Sequence, residues 1–353
     1  MSSLLTNSSA MTALQTLTLT NKNLETTQNR ISTGLRINDA SDGAAYWSIA
    51  TTMRSDNEAL SAVQDALGLG AATVDTAFTA MNNSISQVNS IKKLVTAASE
   101  GTLDKSDLQK EMTLTQEQLR TNAESSSFNG VNWVAQNTDD ASNNTVKDVV
   151  GGFTRDTSGN VAVQKIEVET ENSILVDAAS LTGTGTNIGI LTRDVSADLQ
   201  TLANAKLHEL NGTTTATADL ANLQFLRDGS LGSVMSGTTL QEFSFLEMDI
   251  SGLDVTDNDK AVLAAVSQLV DDTLSDMTDA ATNLGSTKSR IDAQATFTQA
   301  LMDSISRGIG QLVDADMNAE STRLQALQTQ QQLGIQALSI ANQGASNILS
   351  LFR

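Results

Sequence analysis

The sequence predicts a mainly α-helical protein. Its N- and C-terminal helices pair in a coiled coil and lead into an antiparallel helical bundle, with a central α+β insertion as an outer domain. Three observations predict this fold. The 353 residues include no proline, which would kink or stop a helix. Apolar residues recur at steps of three and four near both chain ends. Between about 137 and 257 this rhythm weakens, and glycine and threonine become frequent.

The N-terminal segment has the heptad pattern of one coiled-coil partner. Asn21 and Gln28 share the register of its leucines, and polar residues at such positions commonly fix how two helices align. The predicted seam on this side consists of Leu14, Leu17, Leu24, Ile31 and Leu35.

The C-terminal segment supplies the second partner. From Val313 to Phe352, nine of twelve positions at alternating steps of four and three are apolar. A second stripe, formed by Leu333, Ala337 and Ile340, makes the apolar face wider than two helices need. The predicted seam on this side consists of Leu324, Leu327, Leu338, Ala341, Ala345, Ile348 and Phe352. We therefore expect these helices to pack against further copies of the chain.

A second pair of long helices is predicted just inside the termini. One runs from Leu60 to Val95 and ends at Glu100-Gly101, and Asp104 or Ser106 then caps a further helix. The other runs from Leu263 to Ile309, and the run Thr256 to Asp259 supplies its N-cap.

The insertion has mixed signals. The alternating runs Val161 to Val168 and Phe243 to Ile250 predict strands, the second half-buried, and Asp194 caps a short helix over 194–210. The predicted domains are therefore a terminal coiled-coil core (1–40 and 311–353), a helical-bundle shell (41–136 and 258–310) and a surface-exposed α+β domain (137–257).

Charge is concentrated in the middle of the chain. Residues 141–259 hold 17 acids and 6 bases, whereas residues 1–60 and 301–353 each have a net charge of −1. The total of −20 argues against nucleic acid and anionic membranes as partners. There is no cleavable export signal and no run of 18 apolar residues. Near-neutral, apolar-striped ends suit burial, and the acidic middle suits solvent.

Candidate catalytic and metal sites are weak, and we expect no enzyme activity, cofactor or metal. His208-Glu209 lacks the second histidine of a zinc-protease motif. The glycines between Gly183 and Gly189 have the wrong spacing for a dinucleotide loop, which favours a turn. The acids Asp254, Asp257 and Asp259 lack the glycine and distal glutamate of a calcium loop, which favours a helix cap.

Several blocks in the same order resemble bacterial flagellin. The N-terminal block Asn29 to Asn38 reads NRISTGLRIN, and Ser127 to Val131 reads SFNGV. Near the other end, Asn283-Leu284-Gly285, the run Ser289 to Asp292 and the final NILSLFR are similar to further family elements. The signature residues are Ser32, Gly34, Leu35, Arg36, Asn38, Phe128, Asn129 and Gly130.

The resemblance implies a structural subunit that polymerises into the hollow helical filament of the flagellum, the propeller for swimming. It implies a secreted, extracellular location reached without a cleaved signal through a type III export apparatus. The implied partners are neighbouring flagellin subunits, a hook–filament junction protein, the filament cap and an export chaperone. A hook–filament junction protein is the alternative reading, because it shares the terminal helices. An enzyme built on the insertion is the alternative from another class, and a secreted adhesin or effector is an added role that the exposed insertion leaves open.

Two stretches depart from the family pattern. Where the shell helix often reads QRVREL, a contact site for an animal innate immune receptor, this chain has Asn89, Ser90, Ile91, Lys92, Lys93 and Leu94. Leu94 and the later Glu111 fit, but Ser90 replaces an arginine and Lys93 an acid, so we expect poor recognition. Tyr46 and Trp47 replace small residues, which suggests the flagellins of soil alphaproteobacteria (the rhizobial type).

Overall fold

The computed structural model describes residues 7–101, 103–137, 145–156, 159–177, 189–211, 217–218, 220, 223–227, 230–233, 235–236, 239–253 and 256–351. The chain forms two compact units. One consists of Met1–Ser61 and Gln299–Arg353, and the other of Ala62–Thr298. These two units do not correspond one to one to the three domains predicted from the sequence, and the three-domain division stays a prediction.

Long helices dominate the described residues, and the predicted fold class is confirmed. The helices are α1 (Ser8–Thr33), α2 (Ala40–Ser99), α3 (Lys105–Ser125), α4 (Ser196–Asn211), α5 (Asp257–Val313) and α6 (Met317–Leu351). The strands are β1 (Ser127–Phe128), β2 (Val131–Asn132), β3 (Ala135–Gln136), β4 (Val146–Arg155), β5 (Val161–Glu169), β6 (Val176–Asp177), β7 (Gln224–Arg227), β8 (Ser230–Ser233), β9 (Met235–Ser236), β10 (Thr239–Leu240) and β11 (Met248–Asp249). Two short 3₁₀ helices cover Glu171–Ser173 and Phe245–Glu247.

Two predicted helix starts are confirmed by their caps, whereas α2 begins at Ala40, well before the predicted Leu60. Asp104 caps α3 by accepting a hydrogen bond from the Ser106 backbone N–H at 2.9 Å. At the start of α5 the Thr256 hydroxyl donates to the Asp259 carboxylate and accepts from the Asp259 backbone N–H. The second bond satisfies one of the backbone donors that the first helical turn leaves unpaired. Thr256 is therefore the N-cap of α5 and Asp259 its partner, so the described part of this run forms the helix start that the sequence favoured over a calcium loop.

The core of the 62–298 unit uses the predicted apolar faces. The α2 positions from Val63 to Val95 and the α5 positions from Leu263 to Ile291 are buried at nearly every predicted step. Met112 and Leu119 of α3 and Trp133 join the same core. Burial of apolar surface on this scale is the main stabilising term for the unit.

The strands form small sheets within this unit. β4 and β5 form an antiparallel hairpin that confirms the strand predicted at 161–168, and its register shifts between Val150 and Gly152. β7 lies between β11 and β8, β3 pairs in parallel with β6, and β9 pairs with β10. The predicted helix in the insertion is also confirmed, because the Asp194 carboxylate accepts from the Ser196 N–H at 3.0 Å where α4 begins.

The half-buried strand predicted over Phe243 to Ile250 is wrong. Ser244 donates its N–H and its hydroxyl to the Glu247 carboxylate, a local capping arrangement that turns the chain into a 3₁₀ helix. Only Met248–Asp249 is a strand. Met248, Asp249 and Ile250 are consecutive and all buried, because this part of the segment packs inside the core and does not alternate between core and solvent. Local side-chain bonding overrode the alternating pattern.

The β4–β5 hairpin contacts α2 where α2 has no side chain. A Cβ built on Gly70 would lie 2.3 Å from Cγ1 of Val149, and a second Val149 methyl would lie at 3.2 Å. Valine is stiff at χ1 and cannot turn away easily. Glycine at position 70 therefore permits the close approach of the hairpin to the helix.

We predict that Gly70→Ala lowers the free energy of unfolding of this unit by about 1–3 kcal/mol, the usual cost of overpacking. Gly68→Ala is the matched control, because nothing lies within 4 Å of a Cβ at that position. It should raise the free energy by up to about 1 kcal/mol through helix propensity. Urea unfolding followed by fluorescence of the buried Trp133, in a Trp47→Phe background, measures both. Equal effects of the two substitutions would contradict this packing.

Candidate assembly interface

The first and last helices pair antiparallel in the unit formed by the chain ends. The Asn7 side-chain amide donates to the Ala341 carbonyl at 3.0 Å. Further along, the Gln331 amide donates to Asn21 Oδ1 at 2.8 Å. Asn21 and Gln331 are polar residues at heptad positions that are mostly apolar, one in each predicted seam. The two side chains bond to each other. These bonds fix the alignment of α1 on α6, as polar residues do in coiled coils.

Most predicted seam residues lie at or beside this contact. Leu17, Leu24, Ile31, Leu35, Leu324, Leu338 and Ala341 are partly buried, and Leu327 is buried. Leu17 contacts α6 at Gly334, where a Cβ would lie 3.2 Å from Leu17 Cδ1. Ala345 and Ile348 belong to α6, but their side chains are not among those described, and Phe352 lies outside the described residues.

Two buried residues of α1 were not predicted. Thr20 and Thr27 are the buried residues of this helix. The Thr20 hydroxyl donates to the Thr16 carbonyl one turn earlier, at 2.9 Å. This bond lets the polar side chain enter a helix contact without an unsatisfied group. A pattern of apolar residues alone gives no signal for such a threonine.

The helix pair exposes a large set of apolar side chains. Leu14 is 54% exposed and Ile340 is 69% exposed, and the second C-terminal stripe faces solvent along its length. Among the side chains of the pair that the structure describes, the large exposed apolar residues are Met11, Leu14, Leu19, Met317, Leu333, Ile335 and Ile340. So many exposed apolar side chains on one pair of helices indicate a site of protein–protein contact.

An ion pair lies inside the same helix pair. Arg30 of α1 donates to the Glu320 carboxylate at 3.1 Å, and Arg323 approaches the same oxygen at 3.5 Å. The Glu320 side chain is only 10% exposed. Glu320 occupies one of the mostly apolar heptad positions of the predicted C-terminal seam. Its buried charge needs a partner, and Arg30 supplies it.

The two connectors next to the helix pair run side by side. The Arg36 N–H donates to the Val313 carbonyl at 2.7 Å, and the Ala315 N–H donates to the Gly34 carbonyl at 2.9 Å. The Arg36 guanidinium adds a bond to the Leu312 carbonyl at 2.9 Å. Gly34 ends α1 with φ of 72°, a conformation that glycine adopts without strain. The signature stretch thus links the α1–α2 connector to the α5–α6 connector.

The rest of this signature organises the start of α2. The Asn38 backbone N–H donates to the Asp42 carboxylate at 3.0 Å, and Ser32 is exposed in the last turn of α1. Hydrogen bonds from the Ser41 hydroxyl and backbone N–H lower the pKa of Asp39 below its usual value. These local bonds order the turn between the two helices.

A small apolar cluster lies beneath the connectors. Ile37, Ala50 and Val313 are buried together, and Trp47 packs against them. Tyr46 points elsewhere and is 52% exposed. The aromatic pair noted in the sequence is therefore divided between the core of this unit and its surface.

The second signature element forms a tight hairpin in the other unit. Phe128 pairs with Val131, and the two residues between them, Asn129 and Gly130, both have positive φ (51° and 78°). A two-residue turn with two positive φ values is the type I′ turn, which favours the dipeptide Asn-Gly. Backbone conformation thus accounts for these two signature residues.

The residues that correspond to the family's contact site for the innate immune receptor lie on α2 (Asn89 to Leu94) and α3 (Glu111). Lys92 forms an ion pair with Asp271 of α5 at 2.5 Å. Ser90 and Lys93 are exposed, and Asn89 and Leu94 are partly buried. Glu111 is exposed on α3. Lys92 is therefore engaged within the chain, whereas positions 90 and 93 are accessible.

The structure adds no support for the catalytic, nucleotide-binding and metal sites considered in the sequence. His208 lies, partly exposed, in the last turn of α4. Most of the Gly183–Gly189 stretch lies outside the described residues. Within the described part, no three histidine, aspartate or glutamate residues come together to hold a metal ion. No described helix is both long and apolar enough to cross a membrane.

Paired terminal helices with exposed apolar faces define a helical, self-assembling structural protein. Two family models match this chain: the bacterial flagellin N-terminal helical region over residues 4–139 and the C-terminal helical region over residues 267–352. Flagellin A of Rhizobium meliloti strain 1021 is 43% identical, and Flagellin C of the same strain is 46% identical. A flagellin of Brucella melitensis biotype 1 is 41% identical. Each alignment covers 100% of both chains.

The chain belongs to the bacterial flagellin family and is of the rhizobial type. It is a structural subunit that polymerises with other subunits into the flagellar filament. The filament serves as the propeller for swimming. Nothing in the comparisons favours the hook–filament junction alternative. The family is structural, in keeping with the expectation of a chain without enzyme activity.

Proposed function

We propose that this flagellin polymerises through the exposed apolar faces of α1 and α6, with the helix pair at the centre of the filament. The observation that supports this is the contrast between the two units. Only Thr20 and Thr27 of the 26 residues of α1 are buried. The helices of the 62–298 unit bury whole apolar faces within one chain. Apolar surface left exposed by the subunit becomes available for burial between subunits.

The three predicted domains fit this arrangement. Residues 1–40 and 311–353 would form the inner core, 41–136 and 258–310 the shell, and 137–257 the outer surface. The charge distribution supports it, because repelling acids suit a solvated outside and near-neutral segments suit a packed centre. The predicted seam residues would then contact neighbouring subunits as well as each other.

We propose an extracellular filament with four further partners. These are the hook–filament junction protein at its base, the cap at its tip, an export chaperone and the type III export apparatus. Family membership supports all four. The exposed side chains of Leu333, Ile335 and Ile340 on α6 support the proposed chaperone in particular, because exposed apolar surface must be shielded from aggregation before the subunit reaches the filament.

Ile340→Asp tests the proposed interface separately from folding. Ile340 is 69% exposed, so a charge there should leave the free subunit folded. In the filament the aspartate would be buried without a partner, so the critical concentration for seeded polymerisation should rise at least about 100-fold. Gln332→Asp, at an exposed polar position of the same helix, is the control and should polymerise nearly normally. Normal filaments from Ile340→Asp would contradict the proposal.

We also propose that the animal innate immune receptor recognises this chain poorly. The accessible position 90 carries a serine, whose single hydroxyl donates to the Ser86 carbonyl at 3.2 Å. A serine cannot supply the planar, two-pronged contact of an arginine. The exposed Lys93 adds a charge of the opposite sign to the family's usual acid.

The reporter-cell response to this chain should be at least about tenfold weaker than the response to a flagellin that carries both residues, the usual loss when an arginine anchor is absent. Ser90→Arg combined with Lys93→Glu should raise the response. Ser90→Lys combined with Lys93→Glu is the control and should raise it less, because lysine lacks the arginine fork. A full response to the unmodified chain would refute the proposal.

A further inference from the structure

A polar groove lies between α1 and α6 beside the buried ion pair. It has a volume of about 460 Å³. Four residues of α1 line it, Asn23, Thr26, Thr27 and Arg30, together with Arg323, Ala326, Leu327 and Gln330 of α6. On each helix the four positions have the same spacing, so each helix presents one face to the groove.

The groove carries excess positive charge. Arg30 and Arg323 both bond to the single carboxylate of Glu320, which leaves a net charge of +1 at this place. Arg30 Nε is buried and has no hydrogen-bond partner in the structure. The Arg323 side chain is 59% exposed and is the accessible cation. A site lined by two guanidinium groups, hydroxyls and amides favours a carboxylate.

The same helix pair carries one exposed acid. α1 and α6 contain two acidic residues, Glu25 and Glu320, and Glu320 is already buried in the ion pair. Glu25 is exposed and forms no ion pair with any residue in the described part of the chain. It is therefore the acid of this helix pair that remains available to a partner.

Glu25 cannot reach the groove of its own subunit. At 100° per residue, it lies about 150° around the α1 axis from the middle of the four groove positions. Along the axis it lies between Asn23 and Arg30, at the level of the groove. A subunit placed beside another at the same height could therefore bring its Glu25 to the neighbour's groove.

We propose that the groove is a carboxylate-binding site that receives Glu25 of a neighbouring copy of this chain. The contact is heterologous: one face of each subunit meets a different face of the next. Such contacts propagate into rings or helical assemblies rather than closed two-fold dimers. The inference rests on the proposed function, in which the helix pair is surrounded by other copies. The contact between Glu25 and the groove would set the register between neighbouring helix pairs.

A double-mutant cycle tests the contact, using seeded polymerisation of the full chain. Glu25→Gln and Arg323→Gln should each raise the critical concentration about two- to fivefold, as expected for one partly exposed ion pair. The double variant should be no worse than either single variant, because both remove the same contact. The effects should shrink in about 1 M salt, where charges are screened.

Matched controls remove one charge of the same sign elsewhere in the same unit. Lys22→Gln changes an exposed base of α1 outside the groove, and Glu58→Gln changes an exposed acid of α2. Both should leave the critical concentration unchanged. Additive effects of Glu25→Gln and Arg323→Gln, or no effect of either, would overturn the contact. Failure of the unmodified chain to extend seeds would instead count against the proposed assembly itself.

Discussion

The antiparallel contact between the first and last helices is the constraint on which the rest of this subunit depends. It joins residues more than 300 positions apart through bonds such as that between Asn21 and Gln331. Because α1 and α6 bury so little of themselves in this contact, each keeps apolar surface exposed. This exposed surface is what we propose other copies of the chain cover in the filament.

The family signature acts next to this contact. Backbone hydrogen bonds of Gly34 and Arg36 tie the connector after α1 to the connector before α6. The Arg36 guanidinium adds a side-chain bond to the Leu312 carbonyl. The backbone bonds do not use the side chains of α1 and α6. The connectors therefore hold the ends of the two helices together while the helix faces remain free to contact neighbours. Backbone conformation and backbone hydrogen bonds at Gly34, Arg36 and Asn38 thus account for part of the signature, whereas the proposed assembly surface depends on side chains of α1 and α6.

The sequence allowed the helices, their caps and the apolar faces to be predicted, because periodicity and capping are local properties. It could not show that Glu320 meets Arg30 or that Thr20 is buried, because such pairings depend on how two distant helices align. The strand predicted over Phe243 to Ile250 failed for a local reason, the bonds from Ser244 to Glu247. The groove is a further property of the alignment, and no spacing within one helix predicts it.

Amide hydrogen exchange, measured on the full chain as monomer and as filament, tests most directly whether neighbouring subunits stabilise the terminal helices. We expect amides of α1 and α6 to exchange at least about 100-fold faster in the monomer than in the filament. Amides of α2 around Met81, in the buried core of the other unit, should exchange at similar rates in both states. Equally strong protection of α1 and α6 in the monomer would contradict the account.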